Sequence, residues 1–151
     1  MIAQWQAAVL AACVAILNAC NSDVPAVAVA EIAPPGLRLT VTRVATHPFL
    51  ARFNLKLTVS TPSGCSAASD LFPDTGGVSR RNVYRGSMDR LYVVGQFDVR
   101  RVDIASCRIE LLEFRSLEGG LRFVGSFDTD GSGHWQFLPA NVGPERPFQP
   151  L

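Results

Sequence analysis

Lysine is nearly missing from this chain: the 14 basic residues are matched by 13 acidic ones, for a net charge of +1, and Lys56 is the single lysine. A nucleic-acid partner calls for a clustered cationic excess that displaces counterions from phosphates, so a balance this even argues against one. The preference for Arg is read as a trait of genome composition rather than as bidentate anion recognition. Histidine is scarce as well. The two that occur, His47 and His134, lie far apart, and no Gly-x-Ser-x-Gly elbow is present, so no catalytic residue and no cofactor are assigned. Four cysteines are too few and too widely spread for a structural zinc site, which needs close pairs of ligands, and no metal is assigned. Helical periodicity is absent throughout the C-terminal three quarters, and nothing after Arg38 is apolar for the ~20 residues that span a bilayer.

What is present divides the 151 residues into four stretches. Residues 7–17 form an uninterrupted apolar run, the length of a signal-peptide core and short of a membrane span, and a leader helix is expected over them. Leu17, Asn18, Ala19 and Cys20 follow directly. An aliphatic residue, a small residue and then cysteine in this order resembles the lipobox of bacterial lipoproteins. The resemblance implies cleavage before Cys20, lipidation of its thiol, and a location on the periplasmic side of an inner or outer membrane of the cell envelope. Residues 1–6 carry no Lys or Arg, unlike an ordinary signal peptide, which keeps open a retained, single-pass apolar anchor over residues 1–19. Residues 20–36, with Pro25, Pro34 and Pro35, are expected to form an extended tether.

From Leu37 the pattern has period two: Leu37, Leu39 and Val41 alternate with Arg38, Thr40 and Thr42, and Phe53, Leu55, Leu57 and Val59 alternate with Arg52, Asn54, Lys56 and Thr58. Further strands are expected over residues 91–99, 104–114, 121–127 and 134–138. Residues 60–79, which hold Pro62, Gly64, Pro73, Gly76 and Gly77, are expected to form a surface loop. Short Gly- and Asp-rich connections favour antiparallel hairpins, so residues 37–140 are predicted to make an all-β sandwich or small, partly open barrel of about six or seven strands. Residues 141–151, rich in proline, are expected to be irregular.

Cys65 and Cys107 remain outside the leader. In an exported domain they are expected to form a disulfide, with Cys107 on the inward face of its strand beside Ile109 and Leu111. The segment 128–133 shares the first half of a calcium-binding loop, but Pro139 stands where a bidentate Glu is needed, and a hairpin turn explains the same residues. The wider string 125–137, with its Asp/Gly turn and Trp135-Gln136-Phe137, resembles the late hairpin of bacterial immunoglobulin-like repeats, which implies a sandwich used for adhesion or as a spacer. Arg80, Arg81, Arg85 and Arg90 form the one local positive cluster, read either as a solvated loop face or as a contact for anionic headgroups or an acidic protein. Together these features lead to the expectation of a membrane-tethered, non-catalytic binding or scaffolding subunit with a protein partner. A small envelope hydrolase with a loop-built site is the alternative.

Overall fold

In the computed structural model, alternation does what the sequence asks of it over Leu37–Ala45 and Phe53–Ser60: Leu37, Leu39, Val41, Leu55, Leu57 and Val59 all point inward and are buried. The structure describes residues 24–33 and 36–148, so Cys20 and the leader lie outside the described residues. The fold is an all-β sandwich of two antiparallel sheets. One holds β1 (Ala26–Ile32), β2 (Leu37–Ala45), β3 (Phe53–Ser60) and β4 (Ser66–Asp74) in the order β1-β2-β3-β4. The other holds β5 (Arg81–Arg85), β6 (Arg90–Val94), β7 (Val99–Asp103), β8 (Arg108–Leu112), β9 (Arg122–Thr129) and β10 (Trp135–Pro139) in the order β10-β9-β5-β6-β7-β8.

Ten strands stand among the described residues where about six or seven were expected, the additions being β1, β4, β5 and the division of 91–99, and β5 (Arg81–Arg85) falls on the arginine-bearing stretch expected to be a loop face. Strand β4 lies in the stretch expected to be loop. Its inward positions Ala67 and Ser69 are too small and polar to signal a buried face, yet they sit opposite Val59 and Leu57. Pro73 is tolerated because β4 is an edge strand, whose outer N–H groups need no ladder partner. The run 91–99 is two strands rather than one: Gly95 N–H donates to Asp98 O at 2.8 Å, which closes a tight hairpin at Gln96 and Phe97. Its continuous apolarity arises because β6 is covered on both faces. Leu91 and Val93 face the other sheet, whereas Tyr92 and Val94 pack with Val99, Leu112, Leu117 and Phe148 on the outside. The expected strand 104–114 likewise splits into the β7–β8 turn and β8.

Strand β1 falls in the stretch expected to be tether. Ala28, Ala30 and Ile32 are buried in the main core, and all seven residues of the strand register with β2. Trp135 joins the two layers, its indole N–H donating to Val41 O at 2.9 Å. The tail beyond β10 is irregular, as its prolines predict, but it is held down: Tyr84 donates to Glu145 at 2.9 Å and Asn82 Nδ2 donates to Arg146 O at 2.9 Å.

Register assigns the hairpin loops to one of two ends, while residues 113–121 run from one end to the other. Because Ala26 pairs with Arg43, and Phe53 with both Ala45 and Asp74, the start of β1 shares one end with the loops 46–52 and 75–80. The β6–β7 and β9–β10 turns lie at that end too, since Arg81 pairs with Phe127 and Asn82 with Val94. The opposite end carries the β3–β4, β5–β6 and β7–β8 turns.

Candidate functional site

Cys65 and Cys107 are joined by a disulfide with Cα atoms 5.9 Å apart. Cys65 immediately precedes β4 and Cys107 immediately precedes β8, the outer strands on one side of the two sheets, so the bond clamps the sandwich along that side. Cys107 does not sit on the inward face of a strand with Ile109 and Leu111. It lies in the β7–β8 turn at φ 53°, and Leu111 is exposed. The β7–β8 turn, not the alternation of β8, sets the direction of Cys107.

The four candidate contact arginines are not brought to one surface. Arg81, on the inward face of β5, is only 3% exposed. Arg80 packs on the Phe148 ring at 4.5 Å and donates to Arg146 O, so it pins the tail. Arg85 lies at the far end of the same strand, ~13 Å along it, and donates to Ala33 O. Arg90 opens β6 opposite Asp103. Alternation turns Arg80 and Arg81 to opposite faces, the length of β5 separates Arg81 from Arg85, and Arg90 belongs to the next strand, so the cluster is dispersed.

Arg81 belongs to a buried polar network. Its guanidinium donates to Phe72 O at 2.6 Å and to the carbonyls of Ser79 and Arg80, and it stands 3.7 Å from Asp98 Oδ1. Arg100 approaches Asp98 Oδ2 at 3.8 Å and donates to Asp70 O. Asp98 also accepts from Phe72 N–H. Asp74 accepts from the Gly76 and Gly77 amides and from Ser79, which closes the 75–80 loop. Burial pulls the Arg81 guanidinium below its ordinary pKa, and Asp98 and Asp74 oppose that effect. Two buried carboxylates thus face two buried guanidiniums, which is how ionised groups persist out of water. Gly95 is required beside them, since a Cβ there would lie 2.6 Å from Asp98 and 2.8 Å from Arg81.

No protein-family model, curated protein or solved structure matches this chain.

The histidines are placed in turns. His47 Nδ1 accepts from the Phe49 and Leu50 amides, both at 3.1 Å. His134 lies 3.5 Å from Asp130 on the exposed β9–β10 turn. That turn is the segment resembling half a calcium loop. The Asp130 carboxylate accepts from Ser132 and His134 amides and from Gln136, so its oxygens organise a hairpin. Among the described residues no group of three or more His, Cys, Asp or Glu side chains is placed to hold a metal ion.

One concave feature was illegible in the sequence: a groove of about 450 Å³ between edge strand β1 and strands β9 and β10. Val29, Val124 and Phe137 give it apolar walls, while Glu31, Arg85 and Arg122 place charge along it. Glu31 is already bound, accepting from Arg38 at 2.7 Å. Because Arg85 and Arg122 are paired across β5 and β9, their positive charge adds at one point of the rim.

Proposed function

We propose that this chain is an exported lipoprotein, lipidated at Cys20 and held on the periplasmic side of an envelope membrane, whose sandwich binds or scaffolds a protein partner without catalysis. The observation that carries this reading is the Cys65–Cys107 disulfide, because such bonds persist in oxidising compartments and the leader already points to export. The groove along β1 supports a partner-binding role. β1 is an edge strand, and an extended peptide laid beside it gains main-chain hydrogen bonds while Arg85 and Arg122 meet a carboxylate.

The test is purification of the full chain from solubilised membranes, alongside the double variant Arg85→Glu, Arg122→Glu. The parent is expected to retain a stoichiometric protein partner that the double variant loses while keeping its membrane attachment. A parent that purifies alone, or a partner held equally by both forms, would count against partner binding through this groove.

A further inference from the structure

Strand β1 leaves very little chain between the sandwich and the residue proposed to carry lipid. Val24 is four residues beyond Cys20, so the two Cα atoms are at most ~14 Å apart even when fully extended. A tether of the length expected from the sequence would have left the domain free to face any way. A short one keeps the corner of the sandwich at which β1 begins close to the bilayer.

That same end carries several of the exposed apolar side chains. Phe49 is 88% exposed on the loop 46–52 with Leu50 beside it, Phe97 is 50% exposed at the tip of the β6–β7 hairpin, and Val78 is exposed on the loop 75–80. Phe97 and Val78 border one small depression, so those two loops are neighbours. Each loop is braced from below: His47 holds the Phe49 and Leu50 amides, Asp74 holds Gly76 and Gly77, and Gly95 bonds Asp98. Rigid loops presenting bulky apolar groups outward lose little conformational freedom on entering an interface. The loops 46–52 and 75–80 contain no carboxylate, and the only one in the β6–β7 turn, Asp98, is buried against two arginines. These three loops thus present Arg52 and no exposed acid, while the β9–β10 turn at the same end carries a partly exposed Asp130 beside His134.

We propose that Phe49, Leu50, Val78 and Phe97 form a membrane-docking tip that inserts into the headgroup–acyl boundary of the bilayer to which the N-terminus is attached. The proposal rests on membrane attachment through residues 1–20, and it holds for a lipidated Cys20 and for a retained anchor alike. With the tip engaged, the β1 groove stands at the side of the domain, parallel to the membrane normal and open to a partner.

The experiment uses the full chain reconstituted into vesicles of phosphatidylethanolamine and phosphatidylglycerol whose acyl chains carry bromine at shallow positions. Phe49→Trp and Phe97→Trp each add an indole at the tip, and Met88→Trp adds one at the opposite end; the parent signal is subtracted. Tip docking predicts that F49W and F97W emission shifts blue and is quenched about twofold or more, as a group lying ~5–10 Å into the boundary requires, while M88W is unaffected. Equal quenching in all three, or quenching of M88W alone, overturns the proposal. Intact mass of the same samples separates the two readings. Acyl mass without tip quenching sinks the docking tip and leaves lipidation standing, and tip quenching on a chain that retains Met1 does the reverse.

Discussion

Asp98 places one carboxylate between two guanidiniums at the centre of the polar network, with Phe72 N–H as a further donor. Asp98→Ala removes the carboxylate that stands within 4 Å of both Arg81 and Arg100, leaving the more distant Asp74 to oppose the burial of Arg81, and the expected loss is about 3–5 kcal/mol of unfolding free energy. Denaturant titration checks this, and a change below about 1 kcal/mol would show that the carbonyls alone satisfy the arginines. Arg81 also shows where sequence reading stops. Two consecutive arginines look alike as letters, and only the strand's alternation sends one inward and the other out. The chain's tyrosines make a second prediction. Burial first, and then the bond to Glu145, push Tyr84 up to about 12; burial and Glu118 raise Tyr92. The fold thus favours the neutral phenol of Tyr84, a contribution complete below the ordinary value of 10 and lost as pH rises through about 12. Absorbance titration should find Tyr84 still un-ionised at pH 10.

At the scale of elements, β2 and β3 were legible because one face is buried and the other wet. Strands β4 and β6 were harder to read for opposite reasons. β4 turns the small, half-buried Ala67 and Ser69 inward at an edge, whereas β6 is apolar on both faces because the tail and the segment after β8 cover its outer side. The disulfide pairing was legible from cysteine context, but its mechanical role was not, since that depends on β4 and β8 being outer strands of two different sheets. The bond closes a separation of 42 residues, for which chain entropy predicts about 3–4 kcal/mol. Reduction should lower stability by about that amount and raise amide exchange first in β4 and β8. Earlier exchange in β1 and β10, on the undisulfided side, would contradict the clamp.

For the whole molecule, acid weakens the turns. Asp130 is held below the usual carboxylate range chiefly by the His134 amide, Glu118 by the Ser87 amide and Asp103 by the Ser106 amide. Each contribution is present above the unfolded value, near ~4, and is lost as pH falls through the lower folded value. Thermal stability is therefore expected to decline below about pH 4, and a flat profile down to about pH 2 would contradict this. Sandwich architecture followed from hairpin chemistry, whereas the groove could not be foreseen, because Glu31, Arg85 and Arg122 come from three strands distant in sequence. Strand β1 was equally hidden: it is a strand because Ala28, Ala30 and Ile32 find a core, not because of propensity alone. The proposed partner role and the proposed orientation both rest on membrane attachment through the N-terminal residues, which we propose is made by a lipidated Cys20. Intact-mass analysis of the protein purified from membranes tests it most directly. The account predicts a chain that begins at Cys20 and carries acyl mass, which Cys20→Ser abolishes. A chain that begins at Met1 with no added mass would contradict it.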